Sequence, residues 1–186
     1  MSKDSIILIV GETGSGKDTV VRKLGLKTVI SSTTRPRRSC EVNGREHYFI
    51  SEEEMDNLES SGQVFAWTRI GKFRYCATLD EVKNKDVYII DPNGVKWYKE
   101  HSKDSNLRVI VIGLTLPLEE RRRRCSNRSD FYSDFEDRVK AEQPSFDEFK
   151  KSGDFNYLIT NWDSEHTADM IKKIINYELK YGPRRL

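Results

Sequence analysis

The sequence predicts an α/β fold in which a parallel sheet is flanked by helices. Short, uninterrupted apolar runs are typical of strands buried on both faces of a parallel sheet. Such runs occur at Ile6–Val10, Val87–Ile90 and Val109–Ile112, with weaker candidates at Tyr157–Thr160 and Thr28–Ser31. Helical stretches alternate with them, at about Lys17–Gly25, Gly94–His101, Leu118–Cys125, Asp134–Lys151 and Asp163–Tyr181. This alternation predicts right-handed crossovers with helices on both faces of the sheet.

Two segments interrupt the alternation. Residues 32–85 contain short polar strand signals around a helix that Ser51 is predicted to cap, which indicates an inserted lobe. Residues 120–140 are rich in arginine and lack a buried strand, which suits a cover over a site. We therefore predict a single domain over 1–186. Its parts are a core (1–31, 86–119 and 141–186), a lobe at about 32–85 and a lid at about 120–140.

Composition narrows the possible functions of the chain. The 186 residues carry a net charge of +2, too small by itself to indicate a nucleic-acid partner. No run approaches the roughly 20 apolar residues needed to cross a bilayer, so no membrane partner is expected. Cys40, Cys76 and Cys125 fit neither a disulfide framework nor metal-ligand spacing, and reduced thiols predict a cytoplasmic protein.

A glycine-rich motif directly follows the first predicted strand and precedes the first predicted helix. GETGSGKDT matches the pattern G-x-x-x-x-G-K, and this context is typical of a phosphate-binding loop. Its glycines allow backbone N–H groups to surround an anion at the positive end of a helix dipole. Lys17 is predicted to follow the transferred charge. The predicted ATP-binding residues here are Gly11, Glu12, Thr13, Gly14, Ser15, Gly16, Lys17, Asp18 and Thr19.

The residue after Lys17 departs from the usual motif. A Ser or Thr hydroxyl normally stands there as a Mg²⁺ ligand, and this chain has Asp18. A carboxylate is a suitable hard ligand for Mg²⁺, but it also adds negative charge beside the phosphates. Direct ligation by Asp18 and ligation through water both stay open.

The segment from Ser31 to Phe49 makes the chain recognisable. It contains SSTTRPRR and then EVNGREHYF, and it closely resembles the corresponding segment of guanylate kinases. The resemblance continues through 62–78, 91–95, the arginine-rich stretch and 159–161, so it covers nearly the whole chain. It implies a P-loop kinase fold with an acceptor-binding lobe and a lid. The residues that it implies for binding the acceptor are Ser31, Arg35, Arg38, His47, Tyr75, Thr78 and Asp91.

The resemblance also assigns roles in catalysis. Lid arginines of the family close over the triphosphate, and Arg124, Arg128 and Arg138 match them best. With Lys17 and Arg35, these are the expected catalytic residues, while Arg122 and Arg123 are expected to be solvated. Asn161 matches a residue beside the adenine ring.

Several positions that read the base in guanylate kinases differ here. Ala66 stands where the family has a glutamate that binds guanine, and Ala77 stands where it has a hydroxyl. His47 replaces a tyrosine on the acceptor phosphate, and Ile89 replaces an aspartate. The residues that bind phosphate in the family are retained here, whereas several residues that recognise the base are replaced. This loss would lower the selectivity for the base.

The resemblance therefore implies a phosphotransferase of purine nucleotide metabolism. The leading expectation is an ATP- and Mg²⁺-dependent nucleoside monophosphate kinase that acts on GMP or dGMP, as a monomer or homodimer. A ribose 1,5-bisphosphate phosphokinase fits Asp18 and Ala66, and a kinase for an altered base is a further alternative. A binding module without catalysis is disfavoured because Lys17 and its glycines are retained.

Overall fold

A computed structural model describes residues 5–101, 107–126 and 135–182. The strands in these ranges are β1 (Ser5–Gly11), β2 (Ser32–Thr33), β3 (Tyr48–Phe49), β4 (Val64–Ile70), β5 (Phe73–Thr78), β6 (Val87–Ile89), β7 (Arg108–Thr115) and β8 (Tyr157–Thr160). The helices are α1 (Lys17–Leu24), α2 (Glu52–Ser60), α3 (Leu79–Val82), α4 (Pro92–His101), α5 (Leu118–Ser126), α6 (Phe135–Ser152) and α7 (Ser164–Tyr181). The predicted α/β class, a parallel sheet with flanking helices, is confirmed. None of the helices in these ranges is long and apolar enough to span a membrane.

The chain forms two compact units. The first contains Ile9–Leu26 and the described residues from Ile110 onward. Its strands follow the order β1, β7, β8, and β7 runs parallel to β8 with Ile112 opposite Tyr157. All of β1 is buried, as its continuous apolar sequence predicts. Helices α1 and α7 pack against each other in this unit.

The second unit contains the described residues up to Leu8 together with Lys27–Val109. Here β6 lies beside β1, and a separate sheet has the order β3, β2, β5, β4. β2 is parallel to β3 and antiparallel to β5. Helix α2 begins with the predicted Ser51 cap, completed by Glu54 as a reciprocal capping box. The predicted lobe residues lie in this unit.

The strand predicted at Thr28–Ser31 is wrong. Thr28 makes only an isolated bridge to Val87, and the strand in this region is Ser32–Thr33. The segment leaves one sheet before it joins the other, since the Ser31 carbonyl already accepts a hydrogen bond from the Tyr48 N–H. An apolar pattern cannot show that a segment is shared between two sheets. Helix α3 was not predicted, and the Thr78 side chain caps it.

Arg74 attaches α2 to β5 in the second unit. The guanidinium is largely buried, and it donates to Glu52 (2.9 Å), Asp56 (2.7 Å) and Glu59 (2.9 Å) on successive turns of α2. Hydrogen bonds from Thr34 and Arg74 lower the pKa of the Glu52 carboxyl below its ordinary value. The helix is therefore held to the sheet by charge as well as by the apolar contacts of Met55.

We expect Arg74→Met to lower the melting temperature by about 3 to 6 °C at pH 7, because it removes several charge-assisted hydrogen bonds at once. The pKa of Glu52 is depressed, so its contribution is present above the ordinary carboxyl pKa and is lost as the pH falls. The difference between variant and wild type should therefore shrink between about pH 5 and pH 3. Arg45→Met, which removes an exposed ion pair with Glu46, is the control and should change little. A difference that grows on acidification would contradict this account.

Candidate functional site

The glycine-rich segment folds as a loop between β1 and α1. Gly14 and Gly16 have φ of 81° and 87°, which side chains other than glycine rarely adopt. A Cβ on Gly16 would lie 2.7 Å from Asn161 Nδ2, so the loop also leaves no room for a side chain there. Gly16 is the N-cap of α1 and supplies no side-chain cap, whereas Ser51, Thr78 and Asp163 cap α2, α3 and α7. The first N–H groups of α1 are thus left for a ligand.

Lys17 folds back over the loop. Its Nζ donates to the carbonyl oxygens of Gly11 (2.5 Å) and Glu12 (3.2 Å). Burial lowers the pKa of Lys17, and the nearby charge of Arg138 lowers it further, while Asp18, Glu142 and Glu12 oppose these effects. Two of the predicted catalytic residues, Lys17 and Arg138, are therefore close enough in the first unit to interact electrostatically.

A buried ion pair lies behind the loop. Arg121 NH2 is 3.2 Å from the Glu12 carboxylate, and both side chains are at most 5% exposed. Arg121 also donates to the Thr13 carbonyl (3.2 Å), and Lys150 approaches Glu12 at 3.3 Å. Sequence reasoning missed Arg121. In the structure, Arg121 and Cys125 are the buried residues of α5, and they lie one turn apart. Of the neighbours of Arg121, Arg123 is exposed, as predicted, and Arg122 forms surface ion pairs with Glu119 and Glu136.

Glu142 on α6 binds the loop directly. Its Oε1 accepts from the Thr13 N–H (2.7 Å), and its Oε2 accepts from the Thr13 hydroxyl (2.9 Å). Arg138, one turn earlier on α6, is exposed. Glu142 was not predicted, because no local motif marks a contact between residues so far apart in the chain.

Asn161 holds the other side of the loop, and Arg124 lies beside it, with NH1 3.4 Å from where a Cβ on Gly16 would be. Asn161 is fully buried, and its Nδ2 donates to the Ser15 carbonyl (2.7 Å). Arg124 donates to Glu120 (3.0 Å) and to the Trp162 carbonyl (2.8 Å). Arg128, the remaining predicted lid arginine, lies outside the described residues.

Asp18 and Thr19 occupy the first turn of α1. The Asp18 carboxylate is exposed, and its charge partly opposes the lowering of the Lys17 pKa by burial. A solvent-accessible carboxylate oxygen at the phosphate end of the helix has the donor chemistry that Mg²⁺ prefers, so this residue fits a magnesium site.

Ser31, Arg35, His47 and Tyr75 lie together in the second unit. His47 Nδ1 is 3.0 Å from Ser31 Oγ, and its ring meets Tyr75 edge to face, with 5.7 Å between centroids. The Arg35 guanidinium lies over the Phe49 ring (5.5 Å), and that ring meets His47 edge to face (5.9 Å between centroids). Four of the seven predicted acceptor-binding residues therefore form one cluster, which we call the acceptor cluster.

Glu41 aligns Arg35 within this cluster. The guanidinium donates two parallel hydrogen bonds to the carboxylate, of 2.7 Å and 3.0 Å, and the Arg38 N–H adds a third at 2.8 Å. Burial by itself would raise the pKa of Glu41, but these hydrogen bonds outweigh it and the pKa is lowered. Glu41 stays ionised near neutral pH and fixes the plane of Arg35, while the Arg38 side chain is exposed.

Thr78 and Asp91 both cap helices. Thr78 Oγ1 accepts from the Glu81 N–H at the start of α3 (3.2 Å). Asp91 accepts from the Gly94 N–H (2.8 Å) and from the Thr68 hydroxyl (2.8 Å). Thr68 pairs with Tyr75 across β4 and β5, which connects Asp91 to the acceptor cluster. Binding of the acceptor by Thr78 and Asp91 stays a prediction.

Ala66 and Ala77 face each other across β4 and β5, next to the Thr68–Tyr75 pair. Each is only 1% exposed, so two small apolar groups occupy this part of the face. A cavity of about 500 Å³ in the same unit is lined in part by Ala77, Thr78 and Glu81. Tyr88, which sequence reasoning missed, is buried in this unit, and burial raises the pKa of its hydroxyl.

Known proteins share both the sequence pattern and the fold of this chain. The family model described as guanylate kinase matches residues 3–178. The guanylate kinase of Campylobacter jejuni is 30% identical, with 91% of this chain and 87% of that protein covered. That of Caldanaerobacter subterraneus is 28% identical, covering 91% and 85%. The crystal structure of guanylate kinase from Anaplasma phagocytophilum has a TM-score of 0.70 at 27% identity, covering 95% of this chain and 87% of that one.

Proposed function

Because the chain belongs to the guanylate kinase family, we propose that it transfers the γ-phosphoryl group of ATP to GMP or dGMP, forming ADP and GDP or dGDP. The observation that carries the proposal is the retention of both phosphate-binding halves. The positive-φ glycines and Lys17 support binding of a triphosphate at the loop, and the aligned Arg35 guanidinium supports binding of a second phosphate at the acceptor cluster.

On the donor side, the loop N–H groups and the start of α1 bind the β- and γ-phosphates of ATP. Lys17 then stays close to the γ-phosphoryl group as negative charge moves toward the leaving ADP. Its hydrogen bonds to Gly11 and Glu12 hold the ammonium over the loop before ATP arrives. Besides Lys17, we assign Arg124 and Arg138 of the described residues to the triphosphate, and we assign Arg128 to it by resemblance.

On the acceptor side, Arg35 and Arg38 bind the phosphate of the nucleoside monophosphate, with Ser31, His47 and Tyr75 around them. That phosphate is ionised near neutral pH, so the attacking oxygen needs no general base. Catalysis then consists of positioning and charge stabilisation, in an in-line transfer. Thr78, Glu81 and Asp91 are the polar groups that we assign to the base, in place of the side chains that Ala66 and Ala77 lack.

Asp18 would hold Mg²⁺, directly or through water, with the Thr19 hydroxyl next to it. Bound Mg²⁺ offsets negative charge on the phosphate oxygens. We also propose that the protein acts in the cytoplasm as a monomer or homodimer and has small-molecule nucleotides, not nucleic acid, as its partners.

A coupled assay with ATP and Mg²⁺ tests the proposal. GMP, dGMP, AMP and ribose 1,5-bisphosphate are offered separately as acceptors. We expect turnover with GMP and dGMP. Turnover with the sugar bisphosphate alone would overturn the proposal. The apolar Ala66–Ala77 pair would then be explained by an acceptor that has no base.

Ala66→Glu gives a sharper test of how the base is recognised. We expect the selectivity for GMP over AMP, measured as a ratio of kcat/KM, to rise about tenfold, since a buried carboxylate that pairs with guanine discriminates strongly. Without substrate, the same carboxylate is buried unpaired, so the free energy of unfolding should fall by about 1 to 3 kcal/mol. Ala66→Gln, of similar size but without charge, is the matched control and should gain less selectivity. Equal selectivity in wild type and Ala66→Glu would show that this face does not read the base.

A further inference from the structure

Glu142 joins helix α6 to the phosphate loop, 129 residues away in the sequence. Its two carboxylate oxygens accept hydrogen bonds from the backbone N–H of Thr13 (2.7 Å) and from the Thr13 hydroxyl (2.9 Å). The Glu142 side chain is 22% exposed, and Arg121 NH1 lies 3.5 Å from its Oε1. Two hydrogen bonds from one residue to one carboxylate fix the orientation of the contact as well as its distance. No step of the proposed transfer uses this contact.

Arg138 lies on the same helix as Glu142, four residues earlier. Residues four apart in an α-helix project from the same side, one turn apart. The Arg138 side chain is exposed. Burial lowers the pKa of Lys17 and the charge of Arg138 lowers it further, so the two cations lie near each other. The side of α6 that contacts the loop is therefore also the side that carries this arginine.

A proline weakens α6 next to the contact. Pro144 stands inside the helix, and it has no N–H to donate to the carbonyl of Lys140. The helix thus lacks one backbone hydrogen bond just beyond the turn that carries Arg138. The position of Arg138 depends less on the packing of the helix after Pro144 and more on contacts made before it. Glu142 makes such a contact.

Apolar contacts hold a different side of the same segment. Phe135 and Val139 pack with Cys125 of α5. Apolar burial has no preferred direction, so it keeps the segment against α5 without fixing how the segment is turned. Hydrogen bonds depend on angle as well as distance, and the pair made by Glu142 fixes which way the Arg138 side of the helix faces.

We propose that Glu142 is a positioning residue for the phosphoryl transfer, which fixes α6 to Thr13 and thereby places the Arg138 guanidinium beside the triphosphate. The inference rests on the proposed function, in which Arg138 is assigned to the triphosphate. Glu142 acts through Arg138 and not on the nucleotide itself. Its effect therefore falls on the transition state, where the cation stabilises the charge of the transferred group, more than on the binding of ATP.

Steady-state kinetics with ATP and GMP, beside titration with ATP and Mg²⁺ alone, test the proposal. We expect Glu142→Ala to lower kcat about tenfold, because a small misplacement of a catalytic group costs this much or more, and to leave the Kd for ATP within about threefold of wild type. Glu142→Gln should retain more activity, because an amide of the same size can accept from the Thr13 N–H and donate to the Thr13 hydroxyl oxygen. Asp147→Ala removes an exposed hydrogen bond from Gln143 on the same helix and is the control, which should change neither value.

A double-mutant cycle with Arg138→Met separates positioning from general support of the fold. Arg138→Met alone should lower kcat by about a hundredfold or more. Adding Glu142→Ala to that variant should lower kcat by no more than about twofold further, because effects that pass through one residue are not additive. Where Glu142→Ala melts below the assay temperature, Glu142→Asp replaces it, since its carboxylate is one methylene short of Thr13.

Four results would overturn the inference and leave the proposed function intact. A wild-type kcat in Glu142→Ala or in Arg138→Met would remove that residue from the mechanism. An undiminished effect of Glu142→Ala in the Arg138→Met variant would show a role independent of Arg138. A weaker Kd for ATP with unchanged kcat would show that Glu142 supports only the shape of the loop. Tighter binding of ATP by Glu142→Ala would show that the carboxylate competes with a phosphate.

Absence of turnover by wild type would instead refute the proposed function, and the inference with it. A loss of kcat in Glu142→Ala that disappears in the Arg138→Met variant supports the positioning role. A merely structural role would lower the melting temperature without producing this dependence on Arg138.

Discussion

Lys17→Met should lower kcat with ATP and GMP by at least about a thousandfold, comparable with the loss of other groups that stabilise transferred charge. Methionine has nearly the same length and apolar volume, but it carries no charge to follow the phosphoryl group. The fold should survive, because burial already lowers the pKa of this amine and removing a partly desolvated charge costs little stability. The measurement is steady-state kinetics beside a thermal melt of the same preparation.

Lys172→Met provides the matched control for this experiment. Lys172 lies on α7 in an exposed ion pair with Asp169, and the same substitution there should change neither kcat nor the melting temperature appreciably. A Lys17→Met variant that retained a tenth of the wild-type kcat would remove Lys17 from the catalytic residues. The phosphate loop would then be a binding element only.

Arg121→Met should cause the largest loss of stability among single substitutions at the loop, about 3 kcal/mol. The substitution leaves Glu12 buried, with Lys150 as its remaining ion-pair partner among the described residues. A buried charge that loses its partner is strongly destabilising. For a chain of this length, about 3 kcal/mol corresponds to a fall in melting temperature of roughly 6 to 12 °C. Urea denaturation of wild type and variant measures the difference.

A double-mutant cycle separates the ion pair from other effects of the substitution. Glu12→Gln/Arg121→Met should recover much of the loss, because neither buried charge then remains. Arg123→Met, two residues along the same helix, removes an exposed pair with Glu120 and should stay within about 0.5 kcal/mol of wild type. Equal losses in Arg121→Met and in the double variant would mean that packing of the Arg121 side chain, and not its charge, supports the loop.

Features set by neighbouring residues in the chain could be predicted from the sequence. The loop from Gly11 to Lys17 follows from a strand, three glycines and a helix in succession, and the structure has this order. The Ser51 cap depends on Glu54 three residues later, and both halves of the capping box form. The assignment of Ser31, Arg35, His47 and Tyr75 to the acceptor came from resemblance. The structure places these residues close together, and their binding of the acceptor stays a prediction.

Contacts between distant parts of the chain could not be predicted in this way. Glu142 and Thr13 are 129 residues apart, and Arg121 and Glu12 are 109 apart. Nothing in the arginine-rich stretch distinguishes Arg121 from its neighbours until the helix turns one side chain inward. The segment at Thr28–Ser31 looked like a strand because its composition is apolar, but its partners belong to two different sheets. In each case the local structure depends on which distant residue is the partner, and the neighbouring sequence does not identify that residue.

The missing side-chain cap of α1 has a practical consequence in the laboratory. In protein purified free of nucleotide, the first backbone N–H groups of this helix have only water as acceptor. Bound phosphate would accept their hydrogen bonds, and its binding free energy would add to the free energy of unfolding. At a ligand concentration a hundred times the Kd, this gain is about 2.7 kcal/mol. We therefore expect the protein to be measurably more stable in storage buffers and crystallisation trials that include a nucleotide than in those without one.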